Sequence, residues 1–194
     1  MSKSIKKKNI GFDFDEVIIS HEKSKIKVAG FLGFNLKPKD TPTDIIRFKI
    51  SPLAHEHFQS LLYDHPQYAF NSPLFVGAKS GLTAIKKSGV PYFLISRHGN
   101  PNMAREIMKQ KGIWPSVFNE ENSFFVNTGE EKDLKAKELG IKIYIDDQPS
   151  VLEIMTSVPH RFLFDPLEAY LGLSGDYEKI YSWKEFVEKV KKIL

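Results

Sequence analysis

Ile10-Gly11-Phe12-Asp13-Phe14-Asp15-Glu16-Val17 decides how the chain is read: an apolar run passes into two carboxylates one residue apart. In an extended strand successive side chains point to opposite faces, so Asp13 and Asp15 share one side while Phe12 and Phe14 anchor the other. Two like charges held that close repel unless a cation or a shared proton relieves them. A second acidic pair closes another apolar run, Ile143-Tyr144-Ile145-Asp146-Asp147. A sheet that brings both pairs to one edge makes a site for a hard cation, because oxygen ligands without cysteine suit magnesium.

Downstream of Pro73 the pattern is regular. A helix over residues 79–87, with Leu82 and Ile85 inward, stops at Gly89, and Pro91-Tyr92-Phe93-Leu94-Ile95 reads as a buried strand ending in Ser96. Asn100 is an N-cap with Pro101 as first helical residue, and Met103, Ala104, Ile107 and Met108 form an apolar stripe. Ser123-Phe124-Phe125-Val126 is the next strand, followed by a helix over 131–139 closed by Gly140. Ile141 to Ile145 forms another strand, and Asp147 with Pro149 opens a helix carrying Val151, Leu152, Ile154 and Met155. Arg161-Phe162-Leu163-Phe164 is a further strand, and Ser182 with Glu185 forms a capping box ahead of Trp183, Phe186, Val187, Val190 and Ile193. Strands alternating with helices at this spacing predict parallel pairing with right-handed crossovers, hence a three-layer α/β/α Rossmann-like sandwich.

Between the first strand and this regular part lies a stretch of different character. Residues 20–25 are polar without a clean period, and residues 28–76 are rich in phenylalanine and broken by Pro38, Pro42, Pro52, Pro66 and Pro73. Leu53, Phe58, Leu61 and Leu62 fit a short helix better than a strand. The expected organisation is a core of residues 1–20 and 77–194 with a mostly helical cap insert, 21–76, over the sheet edge. Phenylalanines in such an insert can stack a nucleobase or form the insert's own core, and the second role is the commoner.

At 194 residues the chain holds one domain with a generous core, or one core plus a small insert. Zero cysteines exclude disulfides, thiolate catalysis and cysteine-ligated zinc. No segment approaches the ~18 unbroken apolar residues of a membrane helix, and the basic start lacks the apolar stretch of a secretory signal, so a cytoplasmic address is expected. The net charge of +4 suits anionic partners mildly, but lysines are spread along the whole chain. Lys6-Lys7-Lys8 reads as a solvated leader rather than a nucleic-acid face. His55 and His57, at i and i+2, do not face each other on a helix and so make no metal site.

In a sheet of this kind ligands bind beyond the carboxyl ends of the strands. Three predicted strands end there in polar groups: Asp13 with Asp15, Ser96, and Asp146 with Asp147. Lys132 stands at the start of its helix, where a cation opposes the helix dipole; that unfavourable placement points to a local anion. Singly, each residue reads as a turn, a cap or a surface group, and their conjunction in order carries the functional argument.

With those residues on the page, the chain resembles the haloacid dehalogenase-like phosphohydrolases. Their four motifs match Asp13-Phe14-Asp15-Glu16-Val17, then Ser96 after Phe93-Leu94-Ile95, then Lys132 ahead of Asp133, then Asp146-Asp147. The Ile145-Asp146-Asp147-Gln148-Pro149 ending and the compact size are similar to 5′-nucleotidase-like members. The resemblance implies a magnesium-dependent phosphatase of a small phosphate monoester, a nucleoside monophosphate among the candidates. It implies Asp13 as nucleophile and Asp15 as general acid and base. Ser96, Arg97 and Lys132 would meet the phosphate, and Asp13, the backbone carbonyl of Asp15, Asp146 and Asp147 would surround the metal. The acid at Asp15 favours phosphatases and phosphomutases over transporting ATPases and dehalogenases of the same resemblance. Two alternatives stand beside this reading: a phosphatase of nucleic-acid ends, and a non-catalytic phospholigand sensor, which would have no need of the second carboxylate.

Overall fold

The computed structural model describes residues 8–194, so Lys6 and Lys7 of the basic leader lie outside the described residues. Among the described residues, β1 (Asn9–Phe12) is central in a six-stranded sheet, between β2 (Tyr92–Ser96) and β4 (Ile141–Asp146). β3 (Ser123–Phe125) lies outside β2, while β5 (His160–Phe164) and β6 (Glu178–Ile180) extend the sheet beyond β4. Every pairing is parallel. The chain runs outward from β1 through β2 to β3 and then returns to place β4 against the other side of β1. That reversal of strand order opens a crevice at the carboxyl ends, where ligands of such sheets collect.

Helices cover both faces, as the alternation predicts. On one side Ile10, Phe12, Leu94 and Ile145 pack with residues of α5 (Ala78–Lys87), α6 (Pro101–Gln110) and α9 (Trp183–Ile193). Trp183 stacks on Phe12, with ring centroids 5.8 Å apart, and its indole N–H donates to the carbonyl of Val17 at 2.8 Å. A large apolar ring is thus buried with its one polar atom satisfied. On the other side Tyr144, Leu163 and Ile95 pack with α7 (Gly129–Glu138) and α8 (Pro149–Ile154). Gly11 faces that layer, and a Cβ there would overlap the ring of Tyr144. The close approach of ring to strand therefore needs glycine.

The cap signals hold at α6, where the Asn100 side chain accepts from Met103 N at 3.1 Å ahead of Pro101. At α9, Ser182 accepts from Glu185 N, but the Glu185 carboxylate takes the N–H of Tyr181 rather than that of Ser182. α7 begins two residues before the expected start, because Thr128 caps it by accepting from Glu131 N. β6 has no counterpart in the sequence reading.

Between β1 and β2 the chain forms α1 (Glu22–Phe31), α2 (Thr43–Ile46), α3 (Pro52–Tyr63) and α4 (Pro66–Ala69). Val28, Ile46, Phe58 and Leu62 build a separate apolar cluster among them. α3 is the short helix that Leu53, Phe58, Leu61 and Leu62 predict, but Leu53 is 86% exposed: it sits in the first turn, off the stripe that Phe58 and Leu62 define. The polar run 20–25, which shows no period, is where α1 begins. The two passages that join this helical segment to the sheet are paired to each other. Ser20 N donates to Pro73 O at 2.8 Å, Phe75 N to Ile18 O at 2.9 Å, and Ile19 bridges Leu74. Among the described residues no helix is long and apolar enough to cross a membrane.

Candidate active site

Strand register brings the site together. Phe12 lies opposite Ile145 on one side and Leu94 on the other, and Asp13 N donates to the carbonyl of Ile145 at 3.0 Å. Asp13 therefore leaves β1 beside Asp146 at the end of β4, with Ser96 at the end of β2 across from them. Lys132, from the first turn and a half of α7, reaches into this corner. Its Nζ donates to Asp13 Oδ1 and to Asp146 Oδ2, each at 2.7 Å, and all three residues are buried. The anion that the helix-dipole argument requires is this pair of carboxylates. The ring of Tyr144 lies beneath the ammonium, 5.5 Å from centroid to Nζ, and its hydroxyl donates to Ile95 O at 2.5 Å.

Asp147 is also buried, and neither of its carboxylate oxygens has a hydrogen-bond partner among the described residues. Asp13, Asp146 and Asp147 each turn a carboxylate oxygen to a common point, within 4.8 Å of one another. A buried carboxylate without a partner is costly, so two unpartnered oxygens beside two further carboxylates mark a place for a cation.

Electrostatics separates the acids. Burial, with the nearby Asp146 and Asp15 charges, outweighs the Lys132 ammonium and pushes Asp13 up to about 7. Burial and Asp146 also hold Asp147 well above the usual carboxylate range. Burial acts in the same direction on Asp15, but His98 and a hydrogen bond from His21 outweigh it and leave Asp15 below that range. Burial would lower Lys132, yet Asp13 and Asp146 hold it well above an ordinary lysine, fully charged. Carboxylates two residues apart are thereby driven in opposite directions, Asp13 toward its protonated form and Asp15 toward its ionised form.

Asp13, Asp15, Ser96, Arg97 and His98 all line one cavity of about 500 Å³. The facing wall comes from α3, which turns Glu56, Gln59, Ser60, Tyr63 and Asp64 toward it at helical spacing. Asp64 accepts from Asn100 Nδ2 at 3.0 Å across the mouth. Arg97 donates to Gln148 Oε1 at 2.6 Å, spanning the ends of β2 and β4. Ser96 Oγ accepts from His98 N at 3.2 Å, which leaves its own proton free for another acceptor. The insert's phenylalanines do not line the cavity: Phe58 is in the segment's own core, and Phe31 and Phe48 are exposed.

All seven residues singled out in the sequence, Asp13, Asp15, Ser96, Arg97, Lys132, Asp146 and Asp147, thus gather at the carboxyl edge. The sequence does not single out His21, whose Nε2 lies 2.7 Å from Asp15 Oδ1. His98, which follows Arg97 in the loop after β2, is only 5% exposed. Glu16 follows Asp15 with φ of 58°, a left-handed conformation uncommon for glutamate, and its carboxylate pairs with the buried Lys25 at 2.8 Å. The only sequence signal was a histidine and a lysine in a stretch without amphipathic period.

No family model matches the chain, and no curated protein is significantly similar to it. Solved structures are. A haloacid dehalogenase-like family hydrolase from Streptococcus pneumoniae superposes with a TM-score of 0.66 at 12% identity, covering 94% of this chain and 98% of that one. A similar hydrolase from Xanthomonas campestris gives 0.62 at 13%, covering 96% and 95%. A HAD family hydrolase from Deinococcus radiodurans, solved with bound phosphate and sodium, gives 0.60 at 14%, covering 95% of each chain. At these identities the likeness establishes the fold: the chain has the haloacid dehalogenase-like α/β fold.

Proposed function

We propose that the chain is a haloacid dehalogenase-superfamily phosphatase that hydrolyses small phosphate monoesters through an aspartyl-phosphate on Asp13. The observation that carries this reading is the double grip of Lys132 on Asp13 and Asp146, with Asp13 also lining a cavity beside Asp15 and Ser96.

The chemistry follows from charge. A phosphate monoester is doubly anionic, and a carboxylate nucleophile approaches it only where cations offset the repulsion. Lys132 engages one oxygen of Asp13 and leaves the other for phosphorus. That oxygen forms the new bond to phosphorus and the bond to the ester oxygen breaks; Asp15, ionised in the free protein, takes up a proton as the phosphate dianion binds beside it and gives that proton to the departing alcohol. Water then adds to phosphorus, Asp15 takes the water's proton, and the Asp13–phosphorus bond breaks to release phosphate. Two displacements of lower barrier replace one of higher barrier. Ser96 donates its hydroxyl to a phosphoryl oxygen, and Arg97 lies beside it at the cavity wall.

The residues fit a divalent cation of the magnesium class, with oxygen donors only and three clustered carboxylates beside the single ammonium of Lys132. Asp13, Asp146, the backbone carbonyl of Asp15 and Asp147 would hold it. When bound it supplies positive charge to the phosphoryl oxygens. The helical segment 21–76 acts as a cap over the core, and its polar α3 wall selects the alcohol being released. A nucleoside 5′-monophosphate belongs in the substrate panel because of the Asp147-Gln148-Pro149 ending, but a wall of polar side chains supports a hydroxylated leaving group more directly than a stacked base. The test is phosphate release with magnesium across aryl, sugar and nucleoside phosphates, for wild type and Asp13→Asn. Inertness of the wild type across that panel would overturn the proposal.

A further inference from the structure

We infer that His21, itself held by Ser72, is a positioning residue that fixes the orientation of the Asp15 carboxylate; this rests on the phosphatase reading above. His21 has no solvent exposure and is not among the residues lining the cavity, so it acts through Asp15 rather than on substrate. Both ring nitrogens are engaged: Nε2 with Asp15 Oδ1 at 2.7 Å, and Nδ1 with Ser72 Oγ at 2.7 Å. A neutral imidazole has one donor and one acceptor nitrogen. With Nε2–H donating to Asp15, Nδ1 accepts from the Ser72 hydroxyl, which also lies 3.1 Å from Ser24 Oγ. Tyr63 packs edge-on against the ring, 5.4 Å between centroids, and helps to bury the imidazole completely.

The consequence for chemistry is directional. His21 claims Oδ1 of Asp15 and leaves Oδ2 for the departing oxygen, so the carboxyl cannot spin between its two protonation sites. The arrangement also ties the acid to the helical segment. His21 lies just past the paired passage that enters that segment, and Ser72 lies just before the passage that leaves it. Their hydrogen bond therefore spans the join, and Asp15 is aimed correctly when the segment is seated.

A general acid matters most when the leaving group is a poor one, which separates positioning from mere structure. The second-order constant kcat/KM reports the first displacement, up to loss of the alcohol, and is measured for p-nitrophenyl phosphate, whose phenolate departs without a proton, and for glycerol 2-phosphate, an alkyl ester. In His21→Ala the alkyl value is expected to fall by roughly 10²-fold, the low end of what a general acid contributes, and the aryl value by several-fold at most. Ser72→Ala should show the same selectivity at about a tenth of the size, and His21→Gln, which can still present an N–H, should recover part of the alkyl loss. Ser72→Ala deletes one oxygen and keeps the test decisive whatever His21→Ala does to folding. Equal losses on both esters, or alkyl values within threefold of wild type in both alanine variants, overturn this inference while leaving the phosphatase reading intact. Wild-type inertness on both esters overturns the two together.

Discussion

Lys132 and Asp13, 119 residues apart in sequence, meet at 2.7 Å with both side chains buried. The same ammonium serves Asp146, so its removal strands two carboxylates in a dry corner. Lys132→Ala is expected to cost ~3–5 kcal/mol of stability, the range for breaking a buried ion pair from one side. Urea melts in a chelator measure it. Phosphate release should fall by at least ~10²-fold, the scale of losing one electrostatic contact to the transition state. A variant of wild-type stability would show that Asp13 and Asp146 are neutral in the folded protein.

Asp13→Asn should move activity and stability in opposite directions. In the proposed mechanism the substitution removes the nucleophile, so turnover is expected to drop to background. It also removes a charge that burial disfavours, so the metal-free variant should melt higher than wild type at pH 8 and no higher at pH 5, where Asp13 is already protonated. Thermal melts at the two pH values decide this.

The metal-free protein should lose stability as pH rises from about 4 to about 7. Asp13 moves from 3.8 in the unfolded chain to about 7 in the folded one, so within that window the folded state holds the extra proton. Stability then falls with pH, by at most ~1.4 kcal/mol per pH unit for one proton. Asp147 is shifted in the same direction. Asp15 is shifted the other way: its contribution is present above 3.8 and disappears only as pH falls below that value, outside this window. Magnesium should flatten the slope by favouring the ionised carboxylates. Identical slopes with magnesium and with chelator would contradict the cation site.

Glu16→Gly sets two effects against each other. Glycine relieves the left-handed backbone, worth ~1–2 kcal/mol, and leaves Lys25, 1% exposed, without its carboxylate. An unpaired buried cation costs ~3–5 kcal/mol. The carbonyl of Thr41, 2.9 Å from Lys25 Nζ, offsets a part of this. Net destabilisation of ~1–3 kcal/mol is expected in denaturant melts, and Glu16→Gly combined with Lys25→Met should recover most of it. A single variant more stable than wild type would place the strain above the ion pair.

How much of this was legible in the sequence divides along a physical line. Elements whose stability is local could be read: α6 announces itself through Asn100, Pro101 and a clean stripe, and the strands through apolar runs ending in chemistry-bearing residues. Asp13, Lys132 and Asp146 were found because each stands at a strand end or helix start where its charge needs an explanation. Features that depend on distant partners could not be read. α1 buries Ser24 and Lys25 along with Val28 and Ala29, so its inward face looks polar until Tyr68 and Glu16 are seen to satisfy it. His21 likewise acquires meaning only when Ser72, 51 residues on, closes against it. β6, three residues long, is too short to show a period.

The pairing of residues 18–20 with 73–75 bears on how the architecture can vary. Because the excursion leaves and returns at one spot, the sheet experiences it as a tight hairpin, whatever its length. Lengthening a closed loop adds entropy cost only logarithmically, about 0.6 kcal/mol per doubling. Helices can therefore be added to or trimmed from the far side of the excursion at little expense to the sheet. Substitutions at the crossing itself would be felt in both directions at once.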